Sequence, residues 1–345
     1  MMDLPVLPTT FVGSYSLPRW LEVARNLFSK GELSQSDLDE AHDNAVKSCI
    51  KDLELCGLDV VTDGELRRET MVYFFSKRIG GFENNGKMKP IGNLDPSIQM
   101  PDPVITGKIH RIGSIGLANH FSFLKKFTTA HPKVTVTGPH MLSKRATNHY
   151  YEDEKELVFD LAKVINLELR ELVEAGCDFI QIDEPVWVGY PEDMPWLVEA
   201  FNATVEGINA KIALHVCYGN YKLKKLFKGD YRDLFPEILK VNASQLSLEF
   251  AVSDMEPLKL FESYKTDKEI AVGVIDVKNE KVESPELVAE RIRRALKTIP
   301  TNKLWISTDC GMKFMPRDRA FEKLKAMVEG TIIVRRELKA SSRTN

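Results

Sequence analysis

What the sequence lacks narrows the field first. No apolar run approaches the roughly 20 residues that a helix needs to cross a bilayer, so a membrane span is not expected. Neither charge sign dominates: 47 Lys and Arg stand against 50 Asp and Glu, for a net charge of −3. Without a basic excess there is no general field for nucleic acid or for an anionic membrane. Cysteine is scarce and odd in number, at five, which argues against a disulfide framework. Cys49, Cys56 and Cys177 lie in apolar or helix-like contexts and read as reduced core residues. The first residues, MMDLPVLPTT, have no basic stretch followed by an apolar one, so no secretory leader is expected. Together these features point to the cytoplasm. No repeat of fixed period and no low-complexity tract is present. What remains, 43% hydrophobic and 28% charged residues, is ordinary for a globular protein. A chain of 345 residues is either one large barrel or two average domains.

Eight short apolar runs bounded by turn or cap signals recur along the chain. They are TTFVGSY (9–15), LDVVTDGE (58–65), KVTVTGP (133–139), DFIQIDEP (178–185), KIALHVC (211–217), QLSLEF (245–250), IAVGVID (270–276) and LWISTDCG (304–311). Most are rich in Val and Ile, as buried parallel strands are. Helical patterns lie between them, with apolar residues three or four apart. The spacing predicts helices over 32–57 and 153–176, ending in Gly57 and Gly176. Further helices are expected over 195–207, 284–299 and 317–338, the last two behind Ser284 and Pro316. Strands alternating with helices predict an α/β protein, a single (β/α)8 TIM barrel spanning 1–345. Residues 80–115 are rich in Gly, Pro and Asn and too long for one connection; they read as an insertion after the second strand, projecting over one barrel face. The tail 335–345 is expected to fray.

Chemistry in such a barrel sits at the C-terminal ends of the strands, and polar side chains fall there repeatedly. They include Ser14, Asp63, Glu65, His140, Asp183, Glu184, His215, Cys217, Glu249, Asp276, Asp309 and Cys310. His215 and Cys217 are two apart and share one side of their strand. With Glu249 and Cys310 they form one imidazole, one carboxylate and two thiolates, a set suited to tetrahedral zinc. A purely structural zinc clip is usually local in sequence, whereas these residues span nearly a hundred positions. His-X-Cys alone would be a weak signal; the joint placement of four ligands is a stronger one.

The donor set also selects the reaction. Hydrolytic zinc sites favour neutral imidazoles that keep the metal acidic. Two thiolates and a carboxylate make an electron-rich metal, poor for ionising water and suited to holding a substrate thiol as thiolate. A free alkyl thiol has a pKa of roughly 8.5 and is mostly protonated at neutral pH. Attack by a thiolate on an alkyl carbon is therefore the expected chemistry. The thiol must expand the shell or displace a ligand, and Glu249, as the hard ligand, is the one expected to leave.

At these residues the chain resembles the catalytic C-terminal half of cobalamin-independent methionine synthase. The superfamily also holds uroporphyrinogen decarboxylase and methylcobalamin:coenzyme M methyltransferases. The resemblance runs over about residues 9–334. It is carried by VGSY (12–15), DGELRRETMVYFF (63–75), TVTGPHML (135–142), IQIDEPVW (180–187), HVCYGN (215–220), LSLEFAVSDMEPL (246–258) and DCGMK (309–313). It implies catalytic zinc on His215, Cys217, Glu249 and Cys310, with homocysteine sulfur as the incoming ligand. It also implies Ser14 on the substrate carboxylate, and Glu65 and Asp183 on its ammonium. The competing, purely structural reading of Asp183 is a rim salt bridge to Arg67 or Arg68. For His140 and His149 a hydrogen-bonded rim position outweighs a catalytic one, and Glu184 receives no role.

Two departures shape the expected donor. The N-terminal barrel of the full-length synthase has no counterpart in this sequence. After the seventh strand, where the family has Asp-Ile-His-Ser, this chain reads DVKNEKVESP, with Asp276 kept and Lys278 in the histidine's place. Lysine, with a reference pKa near 10.4, is a poor proton donor to a folate leaving group. The expectation is therefore a methyl group drawn from methylcobalamin or a methylated corrinoid protein, rather than from methyltetrahydrofolate. Four alternatives are weighed. Coenzyme M as the thiol would place a sulfonate beside Glu65 and Asp183. A zinc hydrolase conflicts with the thiolate-rich set. A barrel that only binds a corrinoid would need no such ligands, and a porphyrinogen decarboxylase needs no zinc.

Overall fold

The Val- and Ile-rich runs of the barrel pair with their neighbours in parallel. The computed structural model describes residues 3–341. Its strands are β1 (Val60–Val61), β2 (Ile79–Glu83), β3 (Met88–Pro90), β4 (Gln99–Pro101), β5 (Val104–Arg111), β6 (His131–Pro132), β7 (Val134–Thr137), β8 (Thr147–Asn148), β9 (Phe179–Asp183), β10 (Lys211–Val216), β11 (Gln245–Leu248), β12 (Glu269–Ile275) and β13 (Leu304–Thr308). Six of them, β7-β9-β10-β11-β12-β13, form one parallel sheet. The remaining two barrel positions are short. β1 pairs in parallel with β6, and the Lys133 amide continues to the Val61 carbonyl at 2.8 Å. The segment at Thr9 bridges Ile306 in parallel, and the Val60 amide donates to the Thr9 carbonyl at 3.0 Å. These bonds join the two ends of the six-stranded sheet through Thr9 and β1, so the eight expected strands stand in a ring, a (β/α)8 barrel.

Side chains replace part of the ladder at the join, which is why the first two strands are shorter than expected. The Thr9 amide donates to Asp59 Oδ2 at 2.7 Å, the Val12 amide to Thr308 Oγ1 at 3.2 Å, and Thr62 Oγ1 to the Gly13 carbonyl at 2.6 Å. The chain then turns sharply through two left-handed residues, Gly64 (φ 67°) and Glu65 (φ 57°).

The helices are α1 (Arg19–Ser29), α2 (Gln35–Cys56), α3 (Tyr73–Ser76), α4 (Leu117–Phe127), α5 (Pro139–Lys144), α6 (Glu154–Glu174), α7 (Met194–Thr204), α8 (Leu258–Ser263), α9 (Pro285–Leu296) and α10 (Arg317–Ser341). Those expected from periodicity are present. A capping box of Ser34 and Asp37 starts α2, and left-handed Gly57 ends it. Ser284 caps α9 at the Leu287 amide, with Pro285 in the first turn. Five helices were not expected: α1, α3, α4, α5 and α8. Two of them are capped from far away in sequence. Glu168 accepts the Ile115 and Leu117 amides at 2.8 and 2.7 Å before α4, and Glu184 accepts the His140 and Met141 amides at 2.9 and 2.8 Å in α5. The expected fraying of the tail is corrected as far as Ser341, where α10 is still helical; 342–345 lie outside the described residues. No described helix is long and apolar enough to cross a membrane.

Between β2 and β5 the chain makes a nested hairpin: β2 pairs antiparallel with β5, and β3 with β4. β8 joins β5 in parallel. Buried Asp102 is bound by Arg145, whose Nη1 also donates to the Pro90 carbonyl at 2.8 Å. These contacts fold the hairpin back over the barrel.

The barrel interior is layered. A small apolar cluster of Val60, Phe179, Ala213, Ala271 and Trp305 stands apart from the main core. Alternation puts Phe179, Gln181 and Asp183 on one face of β9, and Ala213 and His215 on one face of β10. The chain thus passes from an apolar floor to polar residues at the strands' C-terminal ends. Cys49, Cys56 and Cys177 are buried free thiols.

Candidate metal and thiol site

The register of the parallel strands assembles the site. His215 on β10 lies opposite Asp183 on β9 and Ser247 on β11. Its Nδ1 meets the Ser247 carbonyl at 3.0 Å, which fixes that nitrogen as the N–H and leaves Nε2 with its lone pair bare. That Nε2 is buried and has no hydrogen-bond partner. Cys217 follows directly after β10, and Cys310 follows β13 at the other side of the gap. Their sulfurs are 3.3 Å apart. The metal-ligating atoms of His215, Cys217 and Cys310 all lie within 4.8 Å of one another. An orphaned imidazole nitrogen facing two thiols is the arrangement that a thiophilic metal such as zinc fits.

The fourth expected ligand, Glu249, stands beside this group and not within it. Its buried carboxylate receives Lys278 Nζ at 2.6 Å on both oxygens, and the Tyr218 amide at 3.4 Å on Oε2. Burial pushes the Glu249 carboxyl up, against the pull of Lys278. Burial alone would lower Lys278, but Glu249 and then Cys310 and Cys217 outweigh it and hold the ammonium charged. The two sulfurs stand within hydrogen-bond distance of each other. The hydrogen bond from Cys217 draws the Cys310 thiol well below its usual range, and burial pushes Cys217 well above it.

Glu249 and Cys310 are both anchored through Asp309. Its carboxylate accepts the amides of Phe250, Ala251 and Val252 at 2.8, 2.9 and 2.8 Å, so one buried acid holds the loop after β11 against the end of β13. The Glu249 amide donates to Tyr231 Oη at 3.0 Å.

A cavity of about 330 Å³ opens from His215 and Cys310. Ser14, Glu65 and Asp183 all line it, so the three residues expected to hold an amino acid share one chamber with the thiol group. Asp183 is not bridged to Arg67 or Arg68. Arg67 pairs with Asp43, and Arg68 donates to the Thr135 carbonyl at 2.6 Å. Asp183 Oδ1 instead accepts Gln181 Nε2 at 2.7 Å. Burial pushes its carboxyl up to about 7, with Glu65 adding to the shift. Glu65 accepts Thr135 Oγ1 at 2.8 Å and lies 3.7 Å from Arg68. Glu184, buried and pushed up to about 8, is spent on capping α5. His140 is buried against Tyr190 and Trp196 and does not line the cavity.

Sequence reasoning missed several contributors. Buried Lys133 donates to the Phe11 carbonyl and to Gln181 Oε1, both at 2.7 Å, so a chain Lys133–Gln181–Asp183 orients the acid. The signal was available: Gln181 is two residues from Asp183, and Lys133 is a charge opening an apolar strand. Lys313 lines the cavity beside Ser14's neighbour Met312, whose amide donates to the Ser14 carbonyl at 2.7 Å. Gly311 packs directly on Ser14, where a Cβ would overlap the hydroxyl. Tyr73, Ile91, Met100, Tyr221, Phe227 and Phe314 give the outer chamber apolar and aromatic walls, two of them from the hairpin.

Comparison with known proteins agrees with this geometry. Residues 7–332 match the family model for the cobalamin-independent synthase catalytic domain. The chain is similar to a methionine synthase of Sulfurisphaera tokodaii, 42% identical over 98% of this chain and 96% of that one. It is equally similar, at 42%, to one of Saccharolobus solfataricus, with 98% of each covered. Among solved structures it resembles a B12-independent methionine synthase from a Shewanella species in complex with selenomethionine. That similarity has a TM-score of 0.87 and 30% identity, over 97% of this chain and all of the other. A methyltransferase from Methanosarcina mazei shares the fold, at TM-score 0.64 and 13% identity. The expected methylcobalamin or methyl-corrinoid donor, with its corrinoid-protein partner, is overturned by these findings, since both the matched family and the solved relative are independent of cobalamin. The expectation rested on Lys278 standing where the family has a histidine, as too weak an acid to protonate a folate leaving group. That ammonium is paired with the buried Glu249 carboxylate. The barrel, the thiol cluster, the adjoining acidic chamber and these similarities converge: the chain belongs to the cobalamin-independent synthase catalytic-domain family.

Proposed function

We propose that this protein is a zinc-dependent methyltransferase that transfers a methyl group to the thiol of L-homocysteine and forms methionine. The observation that carries this reading is the juxtaposition of an unpartnered His215 Nε2 and the Cys217–Cys310 pair with a chamber holding Asp183 and Glu65. Zinc bound through His215, Cys217 and Cys310 would supply a site where the substrate thiol loses its proton and is kept as a nucleophilic thiolate. Asp183 and Glu65 take the substrate ammonium, and Gln181 keeps Asp183 aimed at it. Ser14, with the Lys313 ammonium lining the same cavity, takes the carboxylate. Held at both ends, the substrate presents its sulfur toward the cluster. Methyltetrahydrofolate is the donor this family membership supports. The aromatic outer walls at Tyr73, Tyr221 and Phe314 suit a flat ring system. The sulfur–methyl bond forms as the methyl–nitrogen bond breaks. The electron pair stays on the donor nitrogen, which takes up a proton. A sulfonate thiol without an ammonium would leave two acids facing an anion, which disfavours coenzyme M.

Two readouts test the proposal. Titrating zinc-loaded protein with L-homocysteine at pH 7 in weak buffer is expected to release about one proton per thiol bound, because the free thiol is mostly protonated there. Methionine is then expected from methyltetrahydrofolate polyglutamate. Cys310→Ser should abolish both. Homocysteine binding without proton release, or a protein that retains no zinc, would overturn the reading.

A further inference from the structure

Lys133 is a buried cation whose hydrogen bonds both go to neutral oxygens. It stands just before β7 with 1% exposure, and its Nζ donates to the Phe11 carbonyl and to Gln181 Oε1, each at 2.7 Å. Burial pulls the ammonium down to about 7, against the opposing charges of Asp183 and then Glu65. An apolar side chain would fill that space without the cost of burying a charge. Resting on the homocysteine reading above, we propose that Lys133 is a positioning residue: through the Gln181 amide it sets the spacing between Asp183 and the segment that carries Ser14, and so decides which enantiomer of the amino acid the chamber accepts.

The amide has one orientation. An ammonium donates and never accepts, so Lys133 holds Oε1 on its own side. Nε2 is thereby turned the other way, where it donates to the Val12 carbonyl and to Asp183 Oδ1, both at 2.7 Å. Gln181 is itself 1% exposed. A flipped amide would set Oε1 against the Val12 carbonyl and the Asp183 carboxylate, with no solvent to relieve the mismatch.

Residues 11–14 depend on these bonds because they lie in no strand. Side chains hold their carbonyls instead of a ladder: Lys133 holds Phe11, Gln181 holds Val12, and Thr62 Oγ1 holds Gly13 at 2.6 Å. Gln181 grips Asp183 as well, and Lys133 grips Gln181. One buried frame therefore joins the acid to the chain that presents Ser14, and Ser14 and Asp183 both line the cavity.

That spacing carries stereochemical information. The amino-acid carbon bears an ammonium, a carboxylate and the arm that ends in sulfur. With the sulfur at the thiol cluster, inverting the centre exchanges ammonium and carboxylate. The exchange sets the carboxylate against Asp183 and Glu65. A fixed distance between Ser14 and Asp183 rejects the D form; a loose one lets it tilt and regain contacts.

The test measures dissociation constants of L- and D-homocysteine on the zinc-loaded full chain and takes their ratio, in which the shared thiol cancels. Wild type is expected to prefer the L form by about tenfold or more, the worth of one charge-assisted hydrogen bond. Lys133→Met and Gln181→Met should each cut that preference by about fivefold or more. The double variant should lose no more than about threefold beyond either single one, since both act through one link. KM for L-homocysteine should rise more than kcat falls in each. If Lys133→Met does not fold, Gln181→Met decides alone, because it leaves Lys133 on the Phe11 carbonyl. A merely structural role would weaken both enantiomers alike, so a ratio within about twofold of wild type would overturn the inference. Fully additive losses in the double variant would overturn it too, as would a wild type that binds both enantiomers equally. A wild type that binds neither would instead defeat the homocysteine reading on which the inference rests.

Discussion

Replacing Asp183 by Asn tests the substrate assignment most directly. The side chain is nearly isosteric and its environment is defined: 6% exposure, with Gln181 Nε2 on Oδ1. The substitution removes the negative charge and leaves the volume unchanged. A hydrogen bond to a charged partner contributes about 1.5–3 kcal/mol, so weakening of homocysteine binding by roughly 10- to 100-fold is expected. The thiol contributes its own pH-dependent term, which must be cancelled. The assay therefore measures dissociation constants for L-homocysteine and for 4-mercaptobutyrate, which lacks the amino group, and uses their ratio. Wild type should prefer homocysteine by that factor, and Asp183→Asn should lose most of the preference while binding 4-mercaptobutyrate no worse. The ratio should also depend on pH. Burial pushes the Asp183 carboxyl up to about 7, and the ammonium binds the ionised form. The preference should therefore grow as pH rises from about 6 to 8 and be flat in the mutant. If Asp183→Asn changes the ratio by less than threefold, or if the pH dependence persists in it, the ammonium does not sit on Asp183.

Two further substitutions probe how the site is held. Gly311→Ala would place a methyl on Ser14 Oγ, the only atom it meets closely; the hydroxyl is flexible, so KM for homocysteine should rise about tenfold from one lost charged hydrogen bond, with an unchanged thermal midpoint, and a normal KM would remove Ser14 from the carboxylate site. Asp309→Ala strands the amides of Phe250, Ala251 and Val252; at about 1–3 kcal/mol for each unpaired group the loss should reach about 3 kcal/mol or more in urea unfolding, and a loss below about 1 kcal/mol would contradict the anchoring role.

The barrel and most of the residues gathered at its candidate site were legible in one dimension, because the signals were local or periodic. Apolar runs with polar C-terminal ends marked the strands, three- and four-residue spacing marked α2, α6, α9 and α10, and the two-residue spacing of His215 and Cys217 put both on one side. What was not legible arose from contacts between residues distant in sequence. Helices α4 and α5 take their caps from Glu168 and Glu184, about fifty residues away, so neither start signal lay within reading distance. The first two barrel strands were shortened by side-chain acceptors on other strands. The largest miss concerned Lys278. Along the sequence it was a basic residue at the position of an acid catalyst, and the inference drawn from its pKa led to the wrong donor. In space it is the partner of Glu249, 29 residues away. The sequence by itself determined which side chains could serve a metal and an amino acid, since residue type and strand period dictate that. Only the tertiary structure decided which of them meet, because strand register and the buried brace of Asp309 set the distances between them.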